Sequence, residues 1–179
     1  MAPILGIYAS QISGHLSTNN FSSIATVTVG SGGASSITFS SIPSTYTHLQ
    51  VRSLSLNSST SNIWMRANSD TGANYASHFL QGDGSGAYSG SYVSQSDGIF
   101  YGYNTTAQPM ASVCDILDYA NTNKYKISRS LQGNDTNGGG NIFFRSNLWT
   151  STSAINALTI YCQAGSFNQY SSFALYGIR

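Results

Sequence analysis

Six aspartates, Asp70, Asp83, Asp97, Asp115, Asp118 and Asp135, are the only side-chain carboxylates in the sequence, which contains no glutamate. Acid–base work on a glycosidic bond needs two carboxyls roughly 5–9.5 Å apart. Asp83 and Asp97 bracket a Gly/Ser-rich stretch and are the one pair that a loop could bring together. Aspartates in such stretches ordinarily bond their own backbone, and that is the expectation here. His15, His48 and His78 are far apart and show neither His-x-His nor His-Glu-x-x-His spacing. Serine is abundant, but Gly-x-Ser-x-Gly does not occur. Asn134-Asp135-Thr136-Asn137-Gly138 has the oxygens of a calcium loop without its closing acid, so it reads as a turn. No catalytic residue, metal ligand or cofactor is assigned, and the chain reads as a non-enzyme.

The remaining chemistry-bearing residues are cysteines and aromatics. Cys114 and Cys162 each fall inside an apparent strand, where a buried thiol acting as a small apolar filler is favoured over a disulfide. Tyr88, Tyr92, Tyr119 and Trp149 lie in or near expected loops. Large rigid rings with a polar tip suit both protein interfaces and sugar faces, so these four are the candidate receptor or protein contacts. Tyr101 and Tyr103 read as core.

The elements that must position these residues are strands. Of 179 residues only 7% are charged, far below the roughly 25% of an ordinary globular chain. With 12 Tyr and 8 Phe and few strong helix formers, the composition is that of a β protein. Net charge is +1 with no basic run, which excludes a nucleic-acid footprint. No apolar run approaches the roughly 20 residues of a membrane span, so no membrane insertion is expected. The N-terminus lacks the basic region of a signal peptide, which implies synthesis in the cytoplasm.

Alternation of apolar and polar residues marks strands near 25–29, 37–39, 47–56, 63–67, 75–81, 99–103, 142–144, 155–161 and 173–178. In 47–56, Leu49 and Val51 share one parity and Leu54 and Leu56 the other, so a β-bulge near Arg52-Ser53 is expected. Residues 82–97 read as a long Gly/Ser loop carrying Tyr88 and Tyr92. About ten short strands at regular spacing predict a single antiparallel β-sandwich, with jelly roll the best named candidate. The sandwich is expected over 24–179. Residues 1–23 read as an extended segment whose apolar part is expected not to stay free, either docking on a partner or packing on its own domain.

The strongest period-two signal is Met110–Leu131, a β-hairpin. Met110, Ser112, Cys114 and Ile116 alternate with Ala111, Val113 and Asp115; Tyr125, Ile127, Arg129 and Leu131 alternate with Lys124, Lys126, Ser128 and Ser130. Asp115, Asp118, Lys124, Lys126 and Arg129 read as cross-strand pairs at a solvated hairpin end, worth about 0.2–1 kcal/mol each. The segment DILDYANTNKYKISRSLQGNDTNGG resembles one common in small virion proteins of tailed bacteriophages. PILGIYASQISGHL, ITFSSIPSTYTHLQVR, LWTSTSAINALTIY and FALYGIR resemble the same family, in its order and over more than half the chain.

The resemblance implies a virion location and carries no catalytic residues. It implies docking on other virion proteins through the N-terminal segment, with Ile4, Leu5, Ile7, Tyr8, His15 and Leu16 as the docking residues. A capsid decoration or cement protein, assembled as a homo-oligomer with a trimer favoured, is the first expectation. The alternative is a tail-fibre or tail-tip module that binds a host-surface glycan through the Tyr88–Tyr92 stretch.

Overall fold

The structure is a computed structural model that describes residues 20–179, so the expected docking residues Ile4, Leu5, Ile7, Tyr8, His15 and Leu16 lie outside the described residues. Twelve strands, and among the described residues no helix, follow one another: β1 (Phe21–Thr28), β2 (Ser36–Phe39), β3 (His48–Ser55), β4 (Ser61–Ala67), β5 (Tyr75–Gly82), β6 (Ala87–Gln95), β7 (Ile99–Asn104), β8 (Met110–Leu117), β9 (Lys126–Asp135), β10 (Gly140–Trp149), β11 (Leu158–Cys162) and β12 (Ser172–Ile178). Phe21 to Ser23, read with the N-terminal segment, belong to β1.

Eight of the strands nest as antiparallel pairs, β1 with β12, β2 with β11, β3 with β8 and β4 with β7. Rolling up this nest alternates successive strands between two sheets. One runs β1-β12-β3-β8 and the other β2-β11-β4-β7, which is the strand order of a jelly roll. The expected all-β antiparallel sandwich is thus present. The four remaining strands are two insertions, β5–β6 between β4 and β7 and β9–β10 between β8 and β11. They extend the first sheet to eight strands, β1-β12-β3-β8-β9-β10-β5-β6.

The core lies between the two jelly-roll sheets. Leu49 and Val51 of β3, Cys114 and Ile116 of β8, and Phe173 and Leu175 of β12 meet Ile63 and Met65 of β4, Leu158 and Ile160 of β11, and Tyr101 of β7. Burial of each such Leu, Ile, Val or Phe stabilises the fold by roughly 1.5–3 kcal/mol. The Tyr101 hydroxyl is satisfied by Ser53 Oγ at 2.9 Å. Cys114 and Cys162 are free and buried, on different sheets. Burial pushes both thiols up to about 12, so neither supplies a reactive thiolate.

Three expectations are corrected. The bulge near Arg52-Ser53 is absent: β3 keeps register with both neighbours, Ser53 and Ser55 face inward, and Leu54 stays 53% exposed. The stretch 82–97 is not one loop, because Ala87–Gln95 form the edge strand β6, hydrogen-bonded to β5. The charged hairpin end is only partly solvated. Lys124 pairs with Asp118, which His48 also approaches at 3.6 Å, but Lys126 is buried, its Nζ donating to the carbonyls of Lys124 and Thr152 at 2.9 and 3.1 Å. Burial, with Lys124 nearby, lowers the Lys126 pKa. Asp115 and Arg129 oppose each other in register, yet the Asp115 carboxylate accepts from Gln50 Nε2 at 2.6 Å.

Candidate functional site

Two of the four aromatic contact candidates are structural. Tyr119 is fully buried and donates to the Pro43 carbonyl. Trp149 ends β10, is 2% exposed, stacks on Tyr75, and donates from Nε1 to Asp70 Oδ2 at 2.7 Å. Both sit beside loops in the sequence, but each has its polar tip satisfied inside the fold, so neither is available for a contact role. Burial raises the Asp70 pKa, but the hydrogen bonds from Trp149, Asn74 and the Gly72 amide outweigh it, and the net shift is downward.

Tyr88 and Tyr92 remain accessible, at 51% and 41% exposure. Their spacing along β6 puts them on one face with Gly90 between them. Gly90 pairs with Phe79, whose ring occupies the space a Cβ at Gly90 would need, 2.8 Å from Cε1 and Cζ. Tyr92 stacks on Phe79 at 5.8 Å with 20° between the rings. The result is a short aromatic row, Tyr88–Phe79–Tyr92, in which Tyr88 and Tyr92 of the edge strand β6 flank Phe79 of β5.

The opposite, outward face of the eight-stranded sheet carries the larger surface. Leu80, Phe144, Leu131 and Val113 are cross-strand neighbours in one row over β5, β10, β9 and β8, and Leu148, Ile127 and Leu117 form another. A polar row, His78–Ser146–Arg129–Asp115–Gln50, runs between them. Leu80 is 61% exposed, Ile142 56% and Phe144 49%. One groove of about 1030 Å³ lies over this face, with Val113, Leu131 and Ile142 along it and Arg52, Asp83 and Asp135 at its sides. A second, of about 480 Å³, continues past Phe144, Leu80 and His78. The sequence pattern reveals that these strands alternate; it carries no signal that the apolar set faces outward.

The remaining candidates stay separate. Asp83 Oδ1 accepts from the Ser85 hydroxyl, the Ser85 amide and the Gly86 amide at 2.8–2.9 Å. These bonds hold its carboxyl below the usual range, and they are the local backbone bonding expected of a turn aspartate. Asp97 contributes its carbonyl to the Tyr161 hydroxyl at 2.7 Å. Asp135 caps its own turn by accepting from the Asn137 amide at 2.7 Å. His48 Nδ1 accepts from the Asp118 amide at 3.0 Å, and His78 is exposed on the outer face. Among the described residues no cluster of three His, Cys, Asp or Glu could hold a metal ion.

No family model matches this sequence, and no curated protein matches it. Among solved structures, the Caenorhabditis elegans galectin LEC-6 aligns over 92% of this chain and 99% of its own, at 11% identity and a TM-score of 0.29. A likeness at that level says nothing about what this chain binds.

Proposed function

We propose that the chain is a non-enzymatic structural protein of a tailed-phage virion, a capsid decoration or cement module that meets its neighbours through surface contact. The observation that carries this reading is the outer face of the large sheet. Strands β5, β10 and β9 of a stable sandwich present exposed Leu80, Ile142, Phe144, Ile127 and Leu131 where a monomer would present polar residues, and contiguous apolar surface of this kind marks an interface. The jelly-roll frame and the sequence resemblance to small virion proteins support the same reading. Attachment runs through the N-terminal segment, and closed association of copies, as trimers, covers the apolar rows.

Immunogold labelling of intact particles with antibody to this chain tests the proposal. Label on the head is the expected result, and particles without label would overturn the virion reading. A chain lacking residues 1–19 is expected to fold and fail to attach; Asn20 is retained because its carbonyl accepts from the Arg179 amide at 3.0 Å. Retained attachment would overturn the docking role of the N-terminal segment.

A second reading rests on the Tyr88–Phe79–Tyr92 row, a surface shaped for sugar rings. Under it the chain is a tail-fibre or tail-tip module that contacts a host glycan. Label on the tail, with host-cell binding lost in Tyr88→Ala and Tyr92→Ala, would favour this reading over the first.

A further inference from the structure

The inward face of the sheet extension holds a cation without a counter-charge. Arg145 of β10 is 2% exposed. Its guanidinium lies 3.6 Å from the Phe100 ring centroid, 4.7 Å from that of Phe143 and 4.8 Å from that of Phe79. Rings on several sides shield it from water. Cation–π attraction to these rings offsets only part of the desolvation cost of a buried ion. Among the described residues the ion pairs are those of Asp118 with His48 and Lys124, so no carboxylate neutralises Arg145. Among the described residues its Nε and Nη1 have no hydrogen-bond partner.

The groups around Arg145 share that condition. Ser130 is its cross-strand partner on β9, Gln132 and Ser77 are diagonal neighbours on β9 and β5, and Asn147 follows it on the same face of β10. All four are at least nine-tenths buried. Ser77 Oγ, Ser130 Oγ, both amide atoms of Gln132 and Asn147 Oδ1 are likewise without partners among the described residues. Native interiors leave few buried polar groups unpaired, and here they are gathered on adjacent positions of three strands. Donors predominate: Arg145 contributes three N–H groups from Nε and Nη1, the Gln132 amide two, and each serine hydroxyl one. A cluster with excess donors and a net positive charge, shielded from water, matches an anion.

We propose that this seam beneath β7 is an anion site, with Arg145 as its cationic anchor and Ser77, Ser130 and Gln132 as further donors, and that it takes a chloride-sized inorganic anion.

Thermal melts at constant ionic strength, with sodium chloride replacing sodium gluconate, test this directly. Binding to the folded state alone should raise Tm along a single-site saturation curve, by about 5–10 °C at a hundredfold excess over Kd. Arg145→Met removes the cation at similar volume, and its Tm should not distinguish the two salts. Should that variant fail to fold, Gln132→Met keeps the cation and is expected to shift the chloride curve to at least several-fold higher concentration. Crystals grown in sodium bromide should give an anomalous peak within hydrogen-bonding reach of Arg145 Nε and Nη1. A wild-type Tm indifferent to the exchange, a chloride response retained in Arg145→Met, an unshifted chloride curve in Gln132→Met, or a bromide map with no peak in the seam would each overturn the assignment.

Discussion

Along one cross-strand row of the large sheet the inward residues read Leu175, Val51 and Cys114 over β12, β3 and β8, then Ser130, Arg145 and Phe79 over β9, β10 and β5. The hydrogen-bonded ladder continues unbroken across the change, so backbone pairing does not distinguish the two halves. What differs is the cover. β1, β12, β3 and β8 lie against a second sheet that supplies Ile63, Met65, Leu158 and Ile160. The extension passes beyond that sheet, with β7 at its border, and places hydroxyls, amides, a guanidinium and the rings of Phe79 and Phe143 inside, and Leu80, Leu131, Ile142 and Phe144 outside. The jelly roll is therefore stabilised mainly by apolar burial. The extension relies on ladder pairing, aromatic stacking and whatever satisfies its polar seam, and its apolar side is exposed.

The largest test of that contrast is one substitution made in both halves. Leu175 is fully buried and Leu80 is 61% exposed. Leu175→Asp puts an unpaired carboxylate into the core, at a cost above about 4–5 kcal/mol, enough to remove most of a domain's stability. The variant should show no cooperative melt, and Leu158→Asp should behave alike. Leu80→Asp should move Tm by no more than about 2 °C. Comparable melts for Leu175→Asp and Leu80→Asp would break the comparison.

A smaller effect sits at the tip of the extension. Gly140 opens β10 at φ 137°, and a Cβ there would lie 2.3 Å from the Asn134 carbonyl oxygen. Gly140→Ala combines backbone strain with overlap on a rigid neighbour, about 3 kcal/mol. Hydrogen exchange should accelerate at Ser130 and Arg145 more than at Val51, since local opening of β9–β10 leaves the jelly-roll ladder paired. Equal acceleration at all three would mean that the halves open as one unit.

How much of this was legible in the sequence follows the same division. In β3 and β8 the period and its direction were readable together, because Leu49, Val51, Cys114 and Ile116 are the apolar set and face a dry core. In β9 and β10 the period was readable and the direction was not. Alternation gives two faces, and only tertiary cover decides which is inside. Ile127, Leu131, Ile142 and Phe144 face outward because Lys126, Ser130, Gln132 and Arg145 find places under β7 and the neighbouring loops. The inferred β3 bulge failed for the same reason, since it assumed that Leu54 must be buried. β6 was missed because an exposed edge strand shows no burial period, and its Gly, Ser and Tyr residues read as a loop. Tyr119 and Trp149 lie next to turns in the chain, and the carbonyl and carboxylate that hold them, on Pro43 and Asp70, are remote in sequence.

Trp149→Phe probes the border where β10 meets the jelly-roll loops. It keeps an aromatic ring against Tyr75 and removes the donor to Asp70. A hydrogen bond to a charged group is worth about 1.5–3 kcal/mol, and this loss should appear in urea melts at pH 7. The folded-state pKa of Asp70 is depressed, so the stability it contributes is present above its ordinary value of 3.8 and is lost as pH falls through the folded value. The gap between wild type and Trp149→Phe should therefore narrow in acid. A gap independent of pH would assign the loss to packing alone.

A change nearly as small as that of Leu80→Asp is expected at Tyr92. Its ring stacks on Phe79 but is 41% exposed on a strand with a single partner. An aromatic pair contributes about 0.5–1.5 kcal/mol beyond area burial, and exposure holds Tyr92→Ala near the lower end. Tm should fall by about 1–3 °C, leaving the fold intact for binding assays. That near-neutrality gives the variant its value. If β6 is only the border of a ladder, any large loss of host-cell binding in Tyr92→Ala belongs to the lost ring and not to unfolding. A drop in Tm approaching that of Leu175→Asp would instead place β6 within the cooperative core, and the division between jelly roll and extension would have to be drawn elsewhere.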